Sequence, residues 1–286
     1  MIHILSRRII VSYFLLGVYK KCNFQTLAES KICFRKGYNM MKFNILRWCD
    51  DKISYLKEQG ITFKKGIPQL PTEYTYTGTP SAVSTFAYRN DIPEAAKANA
   101  LLTYFMFEDK LWPRLVKIDD DIEILKDYGG VSGFDLSPSI GMLRPRQRLS
   151  ILVNAIHACY LGSKGIRILP NYRAGDFGTI CAADFFPDEC SFIVGNLGCT
   201  NNGFKAYGEY QLDIVLQKKK PPILFVYGSI FKKEATRLIR QHGFEIISFP
   251  DRRNRVRNNS RSYHYYLSKD EIFKEFYADA AKRRTT

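Results

Sequence analysis

The strongest constraint on this chain is an alternation. Between residues 104 and 250, short apolar runs take turns with longer segments whose apolar residues recur at helical spacing, and glycine or proline marks most changeovers. The runs fall at residues 104–107, 131–136, 165–169, 191–197, 222–227 and 244–249. Between the first two, residues 119–128 carry acids in the first turn, then Ile122, Leu125 and Tyr128, and stop at Gly129-Gly130. The segment opened by Pro145 sets Leu149, Leu152, Val153, Ile156 and Tyr160 on one stripe, with His157 on its polar side. A further helix runs from the loop at 198–203 to about Leu216, and Ala235, Leu238 and Ile239 mark another, stopped by Gly243 near His242. Strands separated by helices in strict order need crossover connections, hence a parallel sheet covered on both faces, which is why the strand segments are apolar almost throughout. The expected fold is α/β: a mostly parallel sheet of about six strands with crossover helices, either an open sheet or an incomplete TIM-like barrel.

This core is expected over residues 101–250. Ahead of it, residues 40–100 read as a short amphipathic helix (Phe43, Leu46, Ile53, Leu56) closed by Gly60, then an extended arm over 66–84, rich in Thr, Ser, Tyr and proline. Residues 9–19, behind Arg7 and Arg8, imitate a signal peptide, but no small-x-small cleavage site follows directly on the run. The run is also too short for a bilayer, which needs about 20 apolar residues. Arg35-Lys36-Gly37 stands just before Met40 and Met41, and Lys-Gly codons can form a purine-rich ribosome-binding stretch. Translation is therefore expected to start at Met40 or Met41, leaving residues 1–39 untranslated or a poorly ordered extension.

The strand ends carry a resemblance. Residues 104–109 (Tyr-Phe-Met-Phe-Glu-Asp), Asp135-Leu-Ser137, Ile168-Leu-Pro-Asn171, Val194-Gly-Asn-Leu-Gly198 and Val226-Tyr-Gly228 together resemble domain of unknown function family 4417, over about residues 105–249. The sequence departs from the family pattern at Glu108, where a first aspartate would stand, and at Asn196 within a V-S-x-x-G position. The resemblance implies a fold type and a phage- or plasmid-type gene neighbourhood. It supplies no mechanism.

In parallel α/β sheets ligands collect at the carboxyl ends of the strands, where loops converge and helix N-termini present free N–H groups. Those ends are expected to bring Asp109, Asp135, Asn171, Arg173, Asn196 and Tyr227 to one edge. Two carboxylates beside an arginine and an asparagine suit a hydrated Mg²⁺ and an oriented phosphate; alternatively, Asp135 caps a helix and Asp109 solvates a turn. Gly198, Thr200, Asn201 and Gly203 form a strand-to-helix loop able to cradle phosphate with backbone N–H groups, although Phe204-Lys205 after the last glycine rules out a Walker loop.

The formal net charge of +15 draws the chain toward polyanions. Arg252, Arg253, Arg255, Arg257 and Arg261, followed by Tyr263 and Tyr265, pair phosphate forks with stacking platforms, the combination that single-stranded nucleic acid requires. Ser268 with Glu271 forms a capping box, with Leu267 and Ile272 as its staple, so a C-terminal helix tethers this loop within residues 251–286. Seven cysteines without a C-x-x-C pair, among them Cys181, Cys190 and Cys199, read as reduced thiols of a cytoplasmic protein. The leading expectation is a mobile-element protein that binds or processes nucleic acid and has no membrane partner. The alternatives are an enzyme acting on a nucleotide or sugar phosphate, and a non-catalytic host-interaction protein.

Overall fold

The computed structural model describes residues 43–173, 175–195, 205–228, 232–251 and 265–267. Helix α1 (Ile45–Glu58) starts where the Asn44 side chain accepts a hydrogen bond from the Arg47 backbone N–H at 3.1 Å. Strands β1 (Phe63–Lys64) and β2 (Ile67–Pro68) form a hairpin whose two turn residues, Lys65 and Gly66, have φ of 51° and 78°. Positive φ at both positions is the turn that matches strand twist. The expected start at Met40 or Met41 and the C-terminal helix lie outside the described residues.

Seven parallel strands follow: β3 (Ala82–Thr85), β4 (Ala100–Thr103), β5 (Gly130–Ser132), β6 (Ile168–Leu169), β7 (Phe192–Gly195), β8 (Ile223–Tyr227) and β9 (Glu245–Phe249). Their connections carry α2 (Glu108–Val116) and α3 (Ile118–Leu125) after β4, α4 (Arg144–Ser163) after β5, α5 (Lys205–Lys219) after β7 and α6 (Lys232–His242) after β8. A 3-10 helix, Phe177–Ala183, bridges β6 and β7. The expected six-strand sheet is instead two four-stranded sheets, β3-β4-β5-β6 and β7-β8-β9-β10, the last strand (Tyr265–Leu267) pairing antiparallel with β9. Between the sheets the ladder shrinks to one bridge, with Ile193 N donating to Pro170 O at 2.8 Å and Tyr172 N to Ile193 O at 3.1 Å. Pro170 has no N–H to continue the ladder beyond β6.

Two strands sit where the apolar runs did not point. β3 begins within the Ser/Thr-rich run read as an extended arm and ends one residue past it, and all four of its residues are buried. β4 ends at Thr103, before the run at 104–107: the Tyr104 N–H donates to the Ser132 hydroxyl at 3.1 Å, and the ladder stops there.

Side-chain alternation organises the core. Val83, Leu101, Leu169, Ile193, Phe225, Tyr227, Ile247 and Phe249, from both sheets, form one interior cluster. Their neighbours Ala82, Leu102, Ile168, Phe192, Leu224, Val226 and Ile246 join the larger cluster under the helices. Both sheets therefore wrap a common interior. Among the described residues no ladder joins β3 to β9 or β10, so the barrel is not closed. His157, expected on a polar face, is fully buried, because α4 is enclosed around most of its circumference. No helix of the described residues is long and apolar enough to cross a membrane.

Candidate functional site

Beyond β5 the chain runs through Gly133 to Asp135, and beyond β6 to Asn171 and Arg173. Asp135 is buried, and its Oδ1 accepts from Asn171 Nδ2 at 3.0 Å and from Arg173 Nε at 2.6 Å. Its Oδ2 accepts from Arg173 Nη2 at 2.8 Å, completing a two-bond fork. Burial pushes the Asp135 carboxyl above its ordinary value, while Arg173 and Asn171 pull against that shift.

The surrounding structure fixes this trio. Gly133 backs onto Asn171 so closely that a Cβ there would lie 2.5 Å from Asn171 Oδ1. Asn154 on α4 ties down the next residue: the Leu136 N–H donates to Asn154 Oδ1 at 3.0 Å, and Asn154 Nδ2 donates to Leu136 O at 2.9 Å. The Arg173 guanidinium lies 5.9 Å from the centre of the Phe105 ring, which stacks on Tyr227 at 5.5 Å. Phe105 is thus the link between the trio and the end of β8. A cavity of about 10 Å³, the size of one water, is lined by Ile151, Asn154, Asn171, Arg173, Ala182 and Phe185.

A second network braces the loop between β5 and α4. Gln147 Nε2 donates to Met142 O at 2.5 Å and to Asp176 Oδ2 at 2.7 Å, and Gln147 Oε1 accepts from Asp176 N at 2.9 Å. Asp176 Oδ1 accepts from Gly141 N at 3.0 Å. These bonds to the Gly141 backbone and Gln147 hold the Asp176 carboxyl below its usual range.

Of the expected site residues, the structure brings together Asp135, Asn171 and Arg173, and reaches Tyr227 through Phe105. Asp109 stands apart from this arrangement: it is exposed in the first turn of α2, beside Glu108, where a helix N-terminus favours acids. The carboxylates expected to share Mg²⁺ are therefore in different settings, one engaged by a guanidinium and one in solvent. Among the described residues no group of three His, Cys, Asp or Glu side chains is arranged to hold a metal ion. Asn196, Gly198, Thr200, Asn201 and Gly203 lie outside the described residues, as do Cys199, Arg252, Arg253, Arg255, Arg257, Arg261 and Tyr263. Tyr265 opens β10. Cys190 is half-buried and Cys181 exposed, both as free thiols. Sequence reading missed Phe105, Gln147, Asn154 and Asp176. The signal that could have found two of them was a pair of amides seven positions apart, at 147 and 154, on the helix stripe that also carries Ile151.

A family model described as Domain of unknown function (DUF4417) matches residues 60–250. The chain belongs to the DUF4417 family. The match starts well before Phe105 and spans β1 to β9, so β3 and β4 belong to the DUF4417 domain rather than to an appendage of it. No curated protein and no solved structure matches the chain. The DUF4417 domain holds 22 Lys and Arg against 19 Asp and Glu over residues 60–250, only +3 of the +15. Most of the excess lies in the flanks: 11 against 4 over residues 1–59, and 10 against 5 over residues 251–286.

Proposed function

We propose that the carboxyl rim of the DUF4417 domain binds the phosphate backbone of nucleic acid. The observation that carries this reading is where the basic residues fall in the topology. α4, leaving the carboxyl end of β5, opens with Arg144, Arg146 and Arg148, all exposed and with no acid in its first turn. α5, after β7, opens at Lys205, and α6, after β8, at Lys232-Lys233. A helix N-terminus already carries positive partial charge, so cations there raise the local potential further and are offset by an arriving anion. The segment with Arg252, Arg253, Arg255, Arg257 and Arg261 leaves the carboxyl end of β9 and returns as β10, whose first residue, Tyr265, pairs with Ser248. Both its ends are thus anchored at the same rim.

The cavity beside Asn171 and Arg173 has room for one water, against roughly 300 Å³ or more for an enclosed small-molecule site. That cavity does not hold a nucleotide or sugar phosphate, and in this reading the ligand lies across the rim instead. In this reading the Asp135–Arg173 fork is the rigid floor of the site. The setting that fits is the cytoplasm of a cell carrying a phage- or plasmid-type element, where the polyanion is at hand.

The test is fluorescence anisotropy with a labelled oligonucleotide. The logarithm of affinity is expected to fall linearly with the logarithm of salt concentration. Changing Arg144, Arg146 and Arg148 together to glutamine is expected to flatten that slope by about 2, from roughly 0.7 for each phosphate of a single strand that is no longer neutralised. No affinity at low salt, or an unchanged slope in the triple variant, would sink the reading.

A further inference from the structure

The same rim exposes apolar side chains among its charges. Phe107 is 74% exposed and Leu143 70% exposed, more than any other large apolar side chain among the described residues. Phe107 is the residue before α2, on the loop leaving β4, and Leu143 the residue before α4, on the loop leaving β5. β4 and β5 are paired in parallel, so the two loops rise side by side from one edge.

Neither position is loose. Lys110 N and Leu111 N donate to Phe107 O at 2.9 and 3.2 Å, and Arg146 N and Gln147 N to Leu143 O at 2.9 and 3.2 Å. The Gln147–Asp176 network clamps Gly141 and Met142 just ahead of Leu143. A fixed backbone that holds an apolar side chain out in water leaves apolar area that a partner can cover without first ordering the chain.

The charges around the two side chains are of opposite sign. Leu143 precedes Arg144 and Arg146, whereas Phe107 precedes Glu108 and Asp109. We propose, resting on the reading above, that the ligand is single-stranded: its phosphates follow the arginine side of the rim, and unpaired bases cover Leu143 and Phe107. A duplex keeps its bases enclosed and its phosphates on both flanks, so seating it here would press one strand's phosphates against Glu108 and Asp109. An unpaired strand has one charged edge and one flat apolar edge, which matches this surface.

The experiment compares a single-stranded DNA, a single-stranded RNA and a DNA duplex of one sequence, titrated into the full chain and into the Phe107→Ser, Leu143→Ser double variant. The wild type is expected to prefer a single strand over the duplex. The double variant is expected to bind a single strand roughly tenfold or more weakly, as when stacking side chains are truncated, with duplex affinity and salt slope unchanged and thermal stability no lower, since serine is a favoured residue at the two helix starts. Equal wild-type affinity for strand and duplex, unmoved by the double variant, overturns this inference and leaves the phosphate reading standing. A wild-type dimer that the double variant converts to monomer in sedimentation, with single-strand affinity unchanged, overturns it too, by assigning the patch to a second copy of the chain. Absence of all binding at low salt removes both readings.

Discussion

Replacing Arg173 with leucine is expected to cost about 3–5 kcal/mol of folding stability, the usual range when a buried ion pair is left with one partner. The cost arises on the other side of the pair. Asp135 is only 3% exposed, and with the guanidinium gone its Oδ2 is without its 2.8 Å donor and its Oδ1 keeps only Asn171. For a domain of this size each kcal/mol shifts the melting temperature by about 2–4 °C, so the drop is readily seen by thermal or urea unfolding. Removing both partners, with Asp135→Leu and Arg173→Leu, is expected to recover most of the loss, because no charge is then left buried. The double-mutant cycle is therefore expected to show a coupling of about 2 kcal/mol or more. Additive losses would mean that the fork does not organise the rim.

The second large effect is on pH dependence and involves two buried groups that titrate in opposite senses. His157 is stacked on Phe134 at 4.3 Å and meets Tyr104 edge-on at 5.0 Å, with no hydrogen-bond partner for either ring nitrogen. Burial, with a smaller push from Lys52, lowers it to about 3. The folded His157 stays neutral while the unfolded chain takes a proton below about 6.5, so its contribution is complete above that pH and is lost as pH falls from about 6.5 toward 3. Asp121 is the reverse. Burial raises its carboxyl to about 7 despite the pull of Arg114, whose Nη1 donates to Oδ1 at 2.7 Å, and of Arg89. Folded Asp121 holds a proton that the unfolded chain releases above about 4, so its contribution is lost as pH rises from about 4 to 7.

In the wild type these two contributions nearly cancel between about pH 4.5 and 6.5. The variants separate them. Relative to the wild-type profile, Asp121→Asn removes the contribution that opposes His157, so stability is expected to fall by about 1.4 kcal/mol more for each unit of acidification. Relative to the same profile, His157→Phe is expected to make stability rise on acidification by a similar amount. Urea midpoints across that range give both slopes, and parallel profiles for the two variants would contradict the assignment.

What could be read from the residues follows from how each element is stabilised. α4, β8 and β9 announce themselves because their apolar residues are continuous or periodic and their ends carry proline and glycine. The trio at 135, 171 and 173 was legible because parallel strands force their successors onto one edge. β3 was not legible: Ala82-Val83-Ser84-Thr85 is buried on both faces yet half hydroxylic, so composition alone reads it as loop. The position of β4 was misread because Tyr104 and Phe105 extend the apolar run past the ladder, one toward the helices and one into the interior. That shift carried Asp109 to a strand end on paper, whereas the chain has already begun α2 there. His157 looked polar by periodicity, but a helix covered on several sides keeps no polar face at that turn.

Hydrogen exchange with and without a bound single-stranded oligonucleotide tests the central claim most directly, because it maps the ligand's footprint along the backbone. Slowed exchange over residues 139–148, between the Gly141 clamp and the first turns of α4, is the result this account predicts. Slowing confined to the opposite edge, at the residues leading into β4, β5 and β8, with 139–148 unchanged, would contradict it.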